Sequence, residues 1–383
     1  MLRSLEGSDS SVQGTNDDAQ ISKMSCAKAG YFKDEFIQYF VRRASRRSPL
    51  INRGYYSRHA ALRQLLQRFL AAAAGSGQQP QVLVLGAGFD TTWFQLSRDQ
   101  GCAPYKCLEV DFKEVTQRKA AIISKEAALR SLLTQQQQQP AAAEPAEPAA
   151  EPAAGATAAP LAPGGGPSDG TPSSAACIAG AAADAGSAAP SSEAVGEVVV
   201  DASGGRVLSS QYCLLPVDLR DIGALEAAVR QAGLDPSAPT YVLSECVLVY
   251  MEPQHSNAVA AWAAKTFRNA LMAIYEQIRP DDAFGRQMVS NLEMRGCPLK
   301  GLPATPTLAA HCARLRDAGW GWADARDMDS LYRTFLDPRD KARVERLEIF
   351  DELEEWHMIQ EHYCIALGRN DVSAWLGGVG FGG

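Results

Sequence analysis

The stretch that most constrains this chain is Val82-Leu83-Val84-Leu85, which runs directly into Gly86-Ala87-Gly88. A short, unbroken apolar run that ends in glycine reads as a strand buried on both faces, as in a parallel sheet. The glycines allow a sharp turn and close approach of a ligand to the backbone. Asp90, Thr91 and Thr92 follow as capping residues for a helix beginning near Thr91. Strand, glycine turn and helix in that order open a nucleotide-type site in a doubly wound sheet. Two glycines also serve any tight turn, so the motif alone is unspecific. Threonine at position 91, where a dinucleotide fingerprint carries its third glycine, argues against a nicotinamide or flavin cofactor.

The rest of the chain repeats the pattern. Tyr105 to Asp111 forms an apolar run ending in an acid, about 20 residues past the glycines, where a ribose-binding carboxylate belongs. Further apolar runs over 211–218, 240–251 and 271–277 alternate with helical stretches over 225–232 and 253–269. Strand and helix in repetition predict an α/β fold, a mostly parallel sheet with helices on both faces. Ligands of such sheets sit at the carboxyl ends of the strands. Gly86, Asp111, Asp218 and Glu245 should therefore meet along one edge. Each acid taken singly is equally well a helix cap or a surface ion pair; their occurrence at successive strand ends favours a site.

Composition narrows the class. The chain has 383 residues, 46% hydrophobic, with a net charge of -7. That acidic balance does not suggest a broad nucleic-acid surface. No apolar run approaches the roughly 18 residues of a membrane helix. The nine cysteines are scattered singly, without metal-ligand spacing, which suits free thiols in a reducing compartment and a cytoplasmic protein. No metal site is expected. Residues 1–20 carry Glu6, Asp9, Asp17 and Asp18 without an apolar core and read as a disordered tail.

Residues 21–47 read as a helix with Phe32, Phe36 and Phe40 on one face, and a second amphipathic helix spans 56–74. Arg42, Arg43, Arg46 and Arg47 form a solvated face. Arg53 and Arg58 lie instead among Gly54, Tyr55 and Tyr56, where a guanidinium suits a carboxylate or phosphate. Residues 112–133 are helical. From 135 to 196 the chain is Gln, Ala, Pro, Gly and Ser, a composition too poor in apolar surface to offset its ordering entropy, and a disordered insertion is expected. Residues 281–345 read as a helical cap over the site and 346–362 as a long acidic helix. A last strand follows at 363–367, then a loose tail over 370–383. His357 and His362 read as surface or core residues.

Asn52-Arg53-Gly54-Tyr55, Leu85-Gly86-Ala87-Gly88, Asp90-Thr91-Thr92, Asp218-Leu219-Arg220-Asp221, Glu245-Cys246-Val247-Leu248-Val249-Tyr250-Met251, Tyr275-Glu276-Gln277 and His362-Tyr363-Cys364, in this order, resemble leucine carboxyl methyltransferases. The resemblance spans about 21–369, interrupted by the low-complexity segment. It implies a Rossmann-like class I methyltransferase with S-adenosylmethionine as donor. It also implies a substrate, the C-terminal leucine carboxylate of the type 2A protein phosphatase catalytic subunit, and a monomeric enzyme. By the same resemblance, Lys23 and Arg58 would hold the methionine carboxylate of the donor and Gly86, with Gly88 in the same turn, would lie under it. Asp111 would bind the ribose, Asp218 and Leu219 the adenine, and Glu245 the methionine amino group. A sister branch that modifies a hypermodified guanosine in transfer RNA carries a long repeat domain after the methyltransferase, and this chain shows none.

A carboxylate acceptor is already anionic at neutral pH and needs no general base. Arg58 is expected to reach both donor and acceptor carboxylate, with Tyr250 hydrogen-bonding on the substrate side or serving as a core tyrosine. Two alternatives stand beside this reading: an O-methyltransferase acting on a small-molecule acid, and a non-catalytic cofactor-binding scaffold.

Overall fold

The unbroken apolar runs at 82–85 and 271–274 form strands covered on both faces. A computed structural model describes residues 2–99, 103–135 and 198–382. All of them belong to one compact unit, and the second unit, 139–195, lies outside the described residues. The low-complexity stretch expected to be disordered, 135–196, lies outside them too, apart from Gln135.

The chain opens with helices α1 (Leu2–Lys28) and α2 (Pro49–Gly75). Strand β1 (Gln81–Leu85), α3 (Thr92–Arg98) and β2 (Lys106–Asp111) follow, then α4 (Lys113–Lys125) and α5 (Ala127–Gln135). After the undescribed segment come β3 (Val199–Asp201), β4 (Arg206–Leu208), β5 (Tyr212–Pro216) and α6 (Ile222–Ala232). Next are β6 (Thr240–Glu245), α7 (Pro253–Thr266), β7 (Asn269–Gln277), α8 (Ala283–Met294) and α9 (Leu308–Asp317). The chain closes with β8 (Trp322–Asp327), α10 (Met328–Thr334), α11 (Pro338–Val344), α12 (Leu353–Glu361) and β9 (Tyr363–Asp371).

The described strands form a nine-stranded sheet in the order β3-β4-β5-β2-β1-β6-β7-β9-β8. The central strands from β5 to β7 are parallel. Strand β9 inserts antiparallel between β7 and β8, and the β3–β4 hairpin adds an antiparallel edge. Alternate residues of the central strands enter opposite cores, because side chains reverse face at every step. Val82, Val84, Tyr241 and Leu243 pack with α2, α3 and α4, whereas Leu83, Leu85 and Val242 pack with α6 and α7. This is the expected doubly wound, mostly parallel α/β architecture.

Several expectations are corrected. Residues 2–20 are not a loose tail but the first part of α1. Polar contacts dock this apolar-poor segment: Asp9 pairs with Arg220 at 2.8 Å, Asp17 with Arg118 at 2.7 Å, and Asn16 Oδ1 accepts from the Phe89 N–H at 3.0 Å. The helix expected over 21–47 ends at Lys28, where Gly30 adopts a left-handed φ of 87°. Helix α2 starts earlier than expected, at Pro49, a residue whose fixed φ suits a first turn. The region 281–345 is not only a cap, since it also delivers β8 to the sheet edge. The long acidic helix shrinks to α12. The tail after 370 is packed: Leu376, Val379 and Phe381 are buried, and the Trp375 ring lies 5.7 Å from that of Phe69. Thr91 does not cap α3 through its side chain. Its hydroxyl donates to Asp34, and Asp90 Oδ1 accepts from the Thr92 N–H.

One buried ion pair fixes the glycine turn to the sheet. Lys119 of α4 and Glu109 of β2 are both inaccessible and bonded to each other. The Lys119 ammonium also donates to the Asp90 carbonyl at 2.7 Å, and Tyr212 donates to Glu109 at 2.8 Å. Burial pushes the Glu109 carboxyl up to about 7 against the pull of Lys119. Lys119→Met should lower stability by about 3–5 kcal/mol, because it leaves a carboxylate buried without its partner. The double variant with Glu109→Leu should recover much of that loss in urea denaturation. A single variant as stable as the parent would contradict this assignment.

Candidate active site

The carboxyl ends of β1, β2, β5 and β6 open into a cavity of about 1080 Å³. Nine residues singled out from the sequence line it: Lys23, Arg58, Gly86, Gly88, Asp111, Asp218, Leu219, Glu245 and Tyr250. They come from widely separated parts of the chain, and the parallel sheet is what gathers them.

At one end sits an ion cluster. Arg58, from α2, donates through Nε to Glu245 at the end of β6, and Lys23 of α1 lies 3.5 Å from the same carboxylate oxygen. Burial alone would push Glu245 up, but Arg58 and then Lys23 outweigh it and hold its carboxyl at about 2. Burial opposes the Arg58 charge, and Glu245 more than compensates, raising the guanidinium well above its ordinary range. Two cations against one anion leave the cluster with one net positive charge. The guanidinium carbon lies 4.5 Å from the centre of the Tyr275 ring, which stacks on Tyr363 at 5.4 Å. His59 stacks on Phe32, and burial, with Arg63 and Lys23, holds it down at about 4, so it is neutral at pH 7.

The turn after β1 shapes the middle of the cavity. Gly86 has a φ of 63°, and a Cβ there would come within 2.5 Å of the Val247 side chain. Val247 is placed by the residue before it, Cys246, which carries a left-handed φ of 56° and ends the strand immediately after Glu245. A left-handed cysteine costs on the order of 1–3 kcal/mol and persists only where its surroundings enforce it. The Asp111 carboxylate accepts from the backbone N–H of Gly88 at 2.6 Å and of Phe112 at 2.7 Å. Burial nevertheless pushes its pKa up to about 6. At the far end, Asp218 receives the Arg220 guanidinium at 2.6–3.0 Å. Burial raises Asp218, but Arg220 outweighs it and holds the carboxyl below its ordinary value.

Arg53, read beside Arg58 as an anion clamp, does not reach the cavity. It turns to the other side of α2 and stacks over Phe350 at 4.0 Å. The exposed guanidinium of Arg46 pairs with Glu348 at 2.9 Å. His362 is buried and bonded to Asp282, and His357 to Asp329, so both are structural as expected. Tyr250 lines the cavity, and burial raises its hydroxyl well above the ordinary value, so it is protonated at neutral pH and able to donate.

Several lining residues were not anticipated. Asn16 and Gln20 of α1 reach the cavity together with Tyr55, Gln277, Lys300 and Tyr363. The α1 residues lie in the stretch whose composition predicts a tail. Gln277 and Tyr363 belonged to motifs that carried no role of their own.

A mostly parallel sheet with β9 inserted antiparallel beside one edge, and a cavity at the strand ends, is a Rossmann-like class I methyltransferase fold. The leucine carboxyl methyltransferase family model matches residues 12–264. A relative from Arabidopsis thaliana, Leucine carboxyl methyltransferase 1 homolog, is 43% identical over 370 residues, covering 97% of this chain and 92% of that protein. Leucine carboxyl methyltransferase 1 of Bos taurus is 31% identical, covering 93% and 89%. The tRNA wybutosine-synthesizing protein 4 of Homo sapiens is 36% identical over 97% of this chain, which spans 46% of that protein. The chain belongs to the leucine carboxyl methyltransferase family and is a methyltransferase.

The ion cluster makes stability depend on acid in a defined window. Glu245 titrates at about 2 in the folded protein against an ordinary 4.5. A carboxylate depressed on folding stabilises fully above its unfolded pKa, and the contribution is lost as pH falls through the folded value. Stability should therefore drop between about pH 4.5 and about pH 2. Glu245→Gln should flatten that part of the profile and, at pH 7, cost about 3–5 kcal/mol by stranding Arg58. Urea midpoints collected against pH check both; an unchanged profile in the variant would refute the pairing.

Proposed function

We propose that this chain transfers a methyl group from S-adenosylmethionine to the α-carboxylate of the C-terminal leucine of the type 2A protein phosphatase catalytic subunit. The observation that carries the reading is the 43% identity, across nearly all of both chains, to a protein named for leucine carboxyl methylation. The cavity supports it. The Gly86 turn is closed against Val247, where a Cβ would clash, and the strand order β5-β2-β1-β6 sets Asp218, Asp111, Gly86 and Glu245 along the cavity in the order a methionyl nucleoside requires. Lys23 and Arg58 suit the donor's carboxylate, Glu245 its ammonium, Asp111 its ribose hydroxyls, and Asp218 with Leu219 its adenine; Gly86 and Gly88 admit it to the backbone. No metal enters this reading.

When bound, S-adenosylmethionine supplies an electrophilic methyl group. What the protein contributes is position and charge. The zwitterionic end of the donor is neutral overall, so the net positive charge of Lys23, Arg58 and Glu245 is left for the acceptor carboxylate. A carboxylate is ionised at neutral pH, so no side chain has to remove a proton from it. Arg58 attracts and orients the acceptor, with the Tyr250 hydroxyl as a second donor. The apolar and aromatic wall strips water from the acceptor, which strengthens these interactions. Holding the reacting atoms in line accounts for the greater part of the rate.

We take the enzyme to act as a cytoplasmic monomer. Among the described residues no helix is long and apolar enough to cross a membrane. A second reading, a transfer-RNA substrate, draws on the 36% identity to tRNA wybutosine-synthesizing protein 4. The net charge of -7 weighs against it, because nucleic-acid surfaces are basic.

Labelled S-adenosylmethionine incubated with purified phosphatase catalytic subunit should yield a labelled, alkali-labile ester. A subunit lacking the terminal leucine, and bulk transfer RNA, should yield none. Arg58→Lys keeps the charge but loses the planar fork. Its kcat/KM should fall by about 100-fold or more, the scale of misplacing a reacting group by about 1 Å. Full turnover by that variant, or label in transfer RNA alone, would overturn the assignment.

A further inference from the structure

Gln277 is among the cavity-lining groups left unused by the roles above. Gln277 is the last residue of β7 and is 3% exposed, yet it lines the cavity. Side chains alternate along a strand, so Gln277 shares a face with Tyr275, the ring beneath Arg58, while Glu276 points the other way to Arg314. Across the ladder Gln277 stands directly opposite Tyr363. Burial raises the Tyr363 hydroxyl to about 12, and a side-chain hydrogen bond with Gln277 pulls it down, as the donor end of an amide does to a phenol oxygen. Its amide oxygen is buried and has no partner.

An acceptor buried without a donor costs about 1–3 kcal/mol, so such atoms call for an explanation. Here the oxygen belongs to a side chain that forms part of the wall of an open cavity, on the same face as the ring stacked under Arg58. A bare carboxylate offers it nothing, since an ionised acid has no donor. The donor's ammonium already has an anionic partner in Glu245. A peptide terminus does bring the missing donor: the N–H of its last amide is attached to the same α-carbon as the carboxylate.

We infer that Gln277 is a specificity-determining residue that accepts the N–H of the substrate's final peptide bond through its side-chain oxygen, and so selects a peptide C-terminus over a small carboxylic acid. This deepens the reading above and rests on it. Arg58 holds the carboxylate, and Gln277 tests whether a backbone amide stands behind it. The contact with Tyr363 engages the donor end of the amide, so the oxygen is the end left for substrate. Discrimination of this kind can be strong, because a substrate without the N–H leaves the oxygen unpaired in the closed complex.

The test uses the full-length enzyme and semisynthetic phosphatase catalytic subunit. Its last linkage is made either as the natural amide or as an ester, which deletes the N–H and little else. The parent enzyme should show kcat/KM about 10- to 100-fold lower on the ester-linked substrate, the scale of one buried hydrogen bond left unmade. Gln277→Met, of similar shape and without the amide, should lose a comparable factor on the amide substrate and bring the amide-to-ester ratio close to one. The ratio cancels the fraction of active enzyme, so a partly unfolded variant still reports. Equal rates on both substrates with the parent enzyme would overturn the inference and leave the proposed function standing, as would an undiminished ratio in Gln277→Met. Failure of the parent enzyme to methylate the amide-linked subunit at all would overturn the proposed function, and the inference with it.

Discussion

The carboxylate of Glu245, held between Arg58 and Lys23, is the interaction on which the site depends. It joins three elements: α1, α2 and the end of β6. Each charge is largely withdrawn from water, and each alone would be costly to bury. Together they form a cluster with one positive charge in excess. That excess is what an anionic acceptor requires, and it is built without a general base near the reacting carboxylate. The aromatic floor of Tyr275 and Tyr363 supports the guanidinium from below and sets where its fork points. The site is therefore a problem of charge placement, solved by packing.

The sheet supplies the precision. Side chains positioned on strands are held more tightly than those on loops, and the central strands are covered on both faces. The left-handed turn at Cys246 ends β6 just past Glu245 and brings Val247 against Gly86. The buried Lys119–Glu109 pair ties the same glycine turn to β2 and α4. The floor of the cavity is thus fixed from two directions. Its roof is different in kind. Helix α1 lies over the turn through Asn16 and is fastened by Asp9–Arg220 and Asp17–Arg118, pairs that water and salt can reach.

Much of this was legible in the amino-acid sequence, for a physical reason. A parallel strand buried on both faces is apolar at most steps, and a strand-end glycine must clear its neighbour. The runs at 82–85 and 240–251 accordingly declared themselves, and Gly86 after the one and Glu245 within the other marked the site edge. What escaped notice depends on contacts between distant residues. The start of α1 has no apolar stripe, and its anchor Asp9 lies 211 positions from Arg220. The hairpin of β3 and β4 is only three residues on each side. Strand β8 reads Trp-Ala-Asp-Ala-Arg-Asp, too polar to resemble a central strand, because it sits at an edge. The glycine-rich end looked loose, although Leu376 and Phe381 fill the core beside α2. Gln277 stood in a motif without a role, since only the folded structure shows that its amide oxygen is left unpaired.

The most direct measurement is a crystal structure of the chain with S-adenosylhomocysteine bound. The account predicts the ligand's carboxylate within hydrogen-bonding reach of Lys23 and Arg58, its ammonium at Glu245, and its ribose hydroxyls on Asp111. It also predicts that the sulfur faces the wall formed by Tyr250, Gln277 and Tyr363. A ligand bound away from the 86–88 turn, or one whose sulfur faces α1 instead of that wall, would contradict it.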